Sequence, residues 1–366
     1  MSNTRNNGNS HESTRPPTII DLARESGVSK STVSRVLNGN LNVSESARSL
    51  VVAAMDKLDY QMNSAARSLR TERSHLVGLV MPGIKHVFYS TTAEVLEREF
   101  QKVGISLLIA SSGGSADGEV LAINSLRSHG ADAFVLSLIN ENDERTLATL
   151  KSIRQQILLL DRDIPEVFGD KVLIDPRRGV GEAVEHLTGL GHSKIGLITH
   201  GTFVRPGREV KASFEQALEN YGLYPSAEVL LEFEDVGAQI GWTAAEAVLK
   251  TGTTAILCLG PSSVTAGVLN YLTWNGMRIP DDISIVVYDE TELSSAMKPG
   301  LTAIVRPLEE YACLASNLVI SRFSDPDSEQ RILTVPTQLM VRDSTGRVNN
   351  KVASVKRKQR QPATTL

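Results

Sequence analysis

The segment 27-GVSKSTVSRVLNGN-40 decides how the N-terminal part of this chain is read. Ser29 is a good helix N-cap and Gly39 a good stop, so residues 30–38 are predicted as one short helix. At about 100° per residue, Val33, Val36 and Leu37 fall on one side of it. Ser31, Ser34, Arg35 and Asn38 fall on the other, with Lys30 at the N-terminal rim. That outer face carries hydrogen-bond donors and positive charge, and no carboxylate.

Working outward, Thr18 with Asp21 makes a capping-box-like start to an earlier helix that contains Ile20, Leu22 and Ala23. Gly27-Val28-Ser29 is the turn between the two. A third helix fits 44-SESARSLVVAAMDKLDY-60, with Ala47, Leu50, Val51, Ala54, Met55 and Leu58 as its apolar stripe. Helix, tight turn with glycine, and second helix with a polar-basic face form the helix-turn-helix plan, whose second helix enters the DNA major groove. Alone, the segment also fits an ordinary polar surface; three helices in this order favour DNA. Downstream, Asn63 can cap a short helix 64-SAARSLR-70, with Ala65, Ala66 and Leu69 on one side. It is too short to be stable alone, and composition by itself fits a solvated linker.

The rest of the chain is different. Of 366 residues, 41% are hydrophobic, enough for a core far larger than a DNA reader needs. The formal net charge of −4 is unevenly placed: residues 1–73 hold 10 Lys/Arg against 7 Asp/Glu, and residues 74–346 hold 22 against 35. An acidic body repels DNA while a basic head is drawn to phosphates, so binding is expected to weaken steeply with salt. Apolar runs 76-LVGLVM-81, 105-ISLLIA-110, 133-AFVLSLI-139, 157-ILLL-160, 195-IGLIT-199, 255-AILCL-259 and 283-ISIVVY-288 alternate with helical patterns. That rhythm predicts parallel sheets flanked by helices. Residues 1–17, Asn/Ser-rich, and the basic tail 347–366 read as disordered, and neither a signal peptide nor a membrane span is expected.

The run 18-TIIDLARESGVSKSTVSRVLNG-39, with 44-SESARSLVVAAMDKLDY-60 and 63-NSAARSLR-70, closely resembles the lactose/galactose repressor family of bacterial transcription regulators. The similarity continues through 76-LVGLVMPGI-84, 160-LDRDIP-165, 185-EHLTGLGHSKIGLI-198, 278-RIPDDISIVVYDE-290, 301-LTAIVRP-307 and 341-VRDS-344. The resemblance implies a helix-turn-helix head over 18–62, a hinge helix within 63–73, and an effector-binding and dimerising body over 74–346. The body is implied to be two doubly wound lobes like a periplasmic sugar-binding protein. Lobe one takes about 75–174 plus 304–332, and lobe two about 175–303 plus 333–345. Lys30, Ser31 and Arg35 stand where relatives read base edges, and Thr18, Ser29, Thr32, Ser34 and Asn38 where they hold phosphates. Asn63 would cap the hinge helix, with Leu69 as the minor-groove wedge and Ala66 packed beside it.

In such a fold the ligand sits between the lobes at strand carboxyl ends. The expected lining is Phe88 and Tyr89 after the first strand, Asp161 and Arg162 after the fourth, Arg205, Trp242 on a later helix start, and Asp289. The structural alternatives are lobe packing for the aromatics and helix capping for the two aspartates. Three departures from the family pattern stand out: Met62 where relatives carry Pro, Pro261-Ser262 in place of Asn-Asp, and Val210 in place of Arg. The first loosens the hinge start; the others leave the effector unusual, phosphorylated or absent.

No other chemistry competes. Gly179-Val180-Gly181 lacks a third glycine and reads as helix packing, and 111-SSGGSADG-118 as a loop. His186 and His192 lack ligand spacing, so no metal and no cofactor are expected. Cys258 and Cys313 sit in apolar runs and suit a reducing cytoplasm. The reading is therefore a cytoplasmic, non-enzymatic regulator, expected to act as a repressor. Its partners are a pseudo-palindromic DNA operator, a second copy of itself and a sugar, sugar derivative or nucleobase-like effector. The alternatives are a solute-binding protein of a transport system, or an enzyme on the same two lobes.

Overall fold

The computed structural model describes residues 17–37, 42–60, 73–231, 237–290 and 292–349. They fall into two compact units that divide between Ser74 and His75.

The first unit contains α1 (Ile19–Ser26), α2 (Lys30–Leu37) and α3 (Glu45–Leu58). The start of α1 is a reciprocal capping box: Thr18 N donates to Asp21 Oδ2 at 2.8 Å and Asp21 N donates to Thr18 Oγ1 at 3.4 Å. Gly27 ends the helix at φ 68°, a left-handed conformation that disfavours any residue with a Cβ. Ser29 Oγ accepts from Thr32 N at 3.1 Å, and Ser44 Oγ from Ala47 N at 3.4 Å, so both later helices start on hydroxyl caps. Leu22, Val33, Val36, Val51 and Ala54 form the buried centre. Leu50, expected on the core stripe of α3, is instead 52% exposed. Two short helices cover only a narrow strip of α3, and Leu50 lies at its margin.

The second unit contains two six-stranded sheets. Sheet one comprises β1 (Leu76–Met81), β2 (Ser106–Ser111), β3 (Ala133–Leu136), β4 (Gln156–Leu160), β5 (Asp170–Asp175) and β11 (Ile332–Pro336). Sheet two comprises β6 (Ile195–His200), β7 (Ala227–Leu231), β8 (Ala255–Leu259), β9 (Ser284–Tyr288), β10 (Thr302–Val305) and β12 (Gln338–Met340). Their orders, β11-β5-β4-β3-β1-β2 and β12-β10-β9-β8-β6-β7, repeat one pattern. All pairings are parallel except β10 with β12. Each sheet reverses direction beside its first strand, which opens a crevice at the strand carboxyl ends.

Helices cover the sheets: α4 (Val87–Gln101), α5 (Ala116–Ser128), α6 (Glu144–Lys151) and α12 (Leu308–Ser324) on sheet one, and α7 (Arg177–Gly189), α8 (Arg205–Glu219), α9 (Ala238–Leu249) and α10 (Ser262–Trp274) on sheet two, with the short α11 (Glu292–Ala296) after β9. Strand residues alternate between two cores. Val77, Leu79 and Met81 of β1 join one, and Val80 the other.

The lobe limits differ from those expected. β10 runs to Val305 in sheet two, and β11 runs to Pro336 in sheet one, so the chain recrosses after 305 and again after 336. The buried Thr337 ties two crossings together: its Oγ1 donates to Asp175 O at 3.2 Å and accepts from Gly179 N at 3.2 Å. A Cβ on Gly179 would lie 2.5 Å from that hydroxyl, which accounts for this glycine as a close-packing residue. Asp170, 2% exposed, anchors lobe one by accepting from Arg322 Nε at 2.9 Å and Nη2 at 2.7 Å, and from Arg331 N at 2.8 Å.

Candidate functional site

On the first unit, burial of Val33 and Val36 turns the opposite face of α2 outward. Lys30, Ser31 and Arg35 are exposed, while Thr32 and Ser34 are half-buried. Ser29 Oγ shares hydrogen bonds with Ser31 Oγ at 2.8 Å and Thr32 Oγ1 at 2.9 Å, which holds the hydroxyls together at the start of the helix. The ion pairs described in this unit are Arg24–Asp21 and Lys57–Glu25, so neither Lys30 nor Arg35 is neutralised by a carboxylate among the described residues. Two cations and the positive end of the α2 dipole therefore face outward. Thr18 lies at the start of α1, with its hydroxyl donating to Asp21 Oδ2 at 2.7 Å. Asn38, Asn63, Ala66 and Leu69 lie outside the described residues.

On the second unit, most of the expected cleft residues converge. Asp161 and Asp289 follow β4 and β9, and both adopt left-handed backbone, φ 51° and 62°. Neither caps a helix. Asp161 Oδ1 accepts from Ile174 N at 3.0 Å and from Arg205 Nη1 at 2.7 Å, so a lobe-one carboxylate holds a lobe-two guanidinium. Arg205 Nη1 also donates to Ile174 O at 2.9 Å. Arg162 is buried and donates from Nε to Leu138 O and from Nη1 to Asp161 O, the latter at 2.9 Å. Asp289 takes a bidentate grip from Arg306, with Nε to Oδ1 at 2.7 Å and Nη2 to Oδ2.

The guanidinium of Arg306 lies between two rings, 4.7 Å from the centroid of Phe88 and 4.5 Å from that of Tyr288. The ring of Phe88 is thus covered by the protein's own cation. Tyr89 packs edge-on to Phe88 at 5.1 Å and accepts from Ser137 Oγ at 3.4 Å. Trp242 is not brought to this group. It packs on α10 against Tyr271 and Trp274, with ring centroids 5.1 and 6.4 Å away.

Six further residues complete the cleft and were missed in the sequence: Arg306, Tyr288, Glu141, Arg208, His86 and His200. Each lies at or just after the carboxyl end of a strand or begins the helix behind it, a placement that was available as a signal. Glu141 is a second link between lobes, accepting from Arg205 N at 2.9 Å and Arg208 Nη2 at 2.5 Å. His86 Nδ1 accepts from Phe88 N at 3.1 Å and so caps α4. Burial, then the charge of Arg306, lowers His86 to about 4. Burial, then Arg162, lowers His200 to about 3, so both rings are neutral at pH 7.

Among the described residues no group of three His, Cys, Asp or Glu could hold a metal, and no helix is long and apolar enough to cross a membrane.

Both units have counterparts in known proteins. The family model "Bacterial regulatory proteins, lacI family" matches residues 18–63, and "Periplasmic binding protein-like domain" matches residues 184–345. The HTH-type transcriptional regulator GalR of Salmonella typhimurium is 30% identical over 308 residues, covering 83% of this chain and 89% of that protein. Catabolite control protein A of Priestia megaterium is 28% identical over 332 residues, covering 90% and 99%. Among solved structures, the Lac repressor dimer bound to operator and the anti-inducer ONPF superposes with a TM-score of 0.78 at 25% identity, covering 91% of this chain and all of that one. With the exposed basic face of α2 in the first unit and paired lobes in the second, the chain belongs to the lacI family of bacterial regulatory proteins.

Proposed function

We propose that the protein is a transcriptional repressor that binds a pseudo-palindromic operator as a homodimer and changes its DNA affinity when a small molecule enters the inter-lobe cleft. The carrying observation is the outer face of α2, where Lys30, Ser31 and Arg35 are exposed and carboxylate-free on a helix whose start is capped by Ser29. In this reading Arg35 makes a bidentate contact to guanine, with Lys30 and Ser31 reading neighbouring edges. Thr18, Ser29, Thr32, Ser34 and Asn38 hold phosphates. Asn63, Ala66 and Leu69 serve the minor-groove hinge. Similarity to the transcriptional regulator GalR and to the operator-bound Lac repressor supports this assignment.

Dimerisation is supported by the edge of sheet one. β2 is the end strand, Leu108 and Ile109 on it are 37% and 46% exposed, and Leu121 of α5 beside it is 71% exposed. A second copy covering that edge would present two heads, matching the two-fold symmetry of a palindromic site. The Asp161–Arg205 and Glu141–Arg208 links give the lobes a closed arrangement that a ligand can favour or oppose. Regulation takes place in the cytoplasm, where the operator is.

Genome-wide mapping of bound DNA, followed by titration of a recovered site, tests the reading. Wild-type protein is expected to bind one palindromic motif, and the variant Lys30→Ala/Ser31→Ala/Arg35→Ala to lose preference for it. Equal site selectivity in that folded variant overturns the proposal.

A further inference from the structure

We propose that the cleft takes an anion of sugar size, a phosphate ester or a carboxylate, gripped by Arg162 and Arg306. The inference rests on the reading of the cleft as the ligand site and specifies its chemistry.

Each cleft carboxylate already binds an arginine: Asp161 holds Arg205, Glu141 holds Arg208 and Asp289 holds Arg306. Two guanidinium groups of the cleft keep a donor. Arg306 binds Asp289 through Nε and Nη2, and Arg162 spends Nε and Nη1 on carbonyl oxygens. Nη1 of Arg306 and Nη2 of Arg162 have no acceptor among the described residues. Nor are they among the fully enclosed unpartnered atoms, which are Ser112 Oγ, Glu228 Oε1 and Arg331 Nε, so neither is wholly sealed from solvent. The Nδ1 of His86 accepts from Phe88 N, so its neutral ring carries the proton on Nε2 and adds another donor.

Charge points the same way. Arg162 is 6% exposed and forms no ion pair among the described residues. A buried guanidinium without a counter-ion is costly. Its charge reaches Glu119, but burial raises that carboxyl to about 7, which weakens it as a counter-ion near neutral pH. The charges of Arg162 and Arg306 both act on His200 and, after burial, help to lower it. A neutral sugar brings hydroxyl hydrogens that need acceptors and ring faces that need aromatic partners. Here each carboxylate is already paired with an arginine, and Arg306 lies between Phe88 and Tyr288. Phosphate and carboxylate oxygens only accept, and match what remains.

The test uses the full-length protein with glucose and ribose, their terminal phosphates, and the acids glucuronate and ribonate. Thermal shift and calorimetry read affinity, and nitrogen-15 spectra of His200 report the cleft. At least one anion is expected to bind more than 10-fold tighter than its neutral parent and to raise the His200 titration midpoint. The phosphate and acid arms identify which anion serves. Arg162→Gln breaks no ion pair among the described residues and is expected to weaken that anion at least 10-fold, with a cooperative urea transition showing that the body is still folded. Arg306→Lys, which keeps a cation but loses Nη1, is expected to weaken it as well. If glucose or ribose binds as tightly as the anions and shifts His200, the anion assignment fails while the cleft remains a ligand site. If no compound shifts His200 or the melting temperature, both fail.

Discussion

Replacing Arg205 by methionine isolates the link between the lobes. Arg205 Nη1 lies 2.7 Å from Asp161 Oδ1, with side chains only 11% and 5% exposed, so solvent does little to screen the pair. Breaking a buried pair by removing one partner costs about 3–5 kcal/mol. The low end applies, because Ile174 N still donates to Asp161 at 3.0 Å. Each lobe has its own sheet and cores, so the loss falls on the closed arrangement. At about 1.4 kcal/mol per tenfold, 3 kcal/mol shifts closed against open by roughly 100-fold. Hydrogen exchange reads this directly at the Arg205 amide, which donates to Glu141 across the lobes. Its exchange is expected to rise by about two orders of magnitude, with that of the sheet-two amides unchanged. A double-mutant cycle with Asp161→Asn should return a coupling above about 1 kcal/mol. Unchanged exchange at that amide, with coupling under about 0.5 kcal/mol, would refute the idea that this pair holds the lobes together.

Three further outcomes are expected. Arg35→Ala should cost about 1–3 kcal/mol on the preferred DNA site and much less on scrambled DNA, whereas Thr32→Ala should weaken both alike; fluorescence anisotropy at fixed salt separates the two. Asp170→Asn leaves Arg322 and Arg331 short of a buried counter-charge and should destabilise the second unit by about 3–5 kcal/mol, read from its urea midpoint. His86 is lowered from 6.5 to about 4 on folding, so its contribution is present above pH 6.5 and is lost as pH falls toward 4. His86→Asn keeps a capping side chain on α4 and should flatten the fall in urea midpoint between pH 6.5 and 4; an equally steep fall counts against His86 as a cause.

Much of the fold was legible locally. The caps at Thr18, Ser29 and Ser44 act within three residues of chain, so residue type alone marked the starts of α1, α2 and α3. The central strands were legible because burial on both faces makes them continuous apolar runs. Edge strands were not: β11, 332-ILTVP-336, has only Val335 buried, and β12 spans three residues, so the last crossing between lobes was misplaced. Asp161 and Asp289 were recognised as strand-end residues, but their partners were not. Arg306 stood in the quoted run 301-LTAIVRP-307 without being assigned to the cleft. Its position depends on Phe88, Tyr288 and Asp289, and Phe88 is remote in sequence.

By itself the amino-acid order determined the helix-turn-helix head, the polarity of α2 and the strand–helix rhythm of the body. Those properties follow from side-chain periodicity and short-range capping, which act over one or two turns of chain. Tertiary structure decided which carboxylates of the cleft are already neutralised, which guanidinium nitrogens still need an acceptor, and which aromatic faces are covered. Such pairings join residues from separate strands in two lobes, and a charge's partner is set by where the backbone carries it.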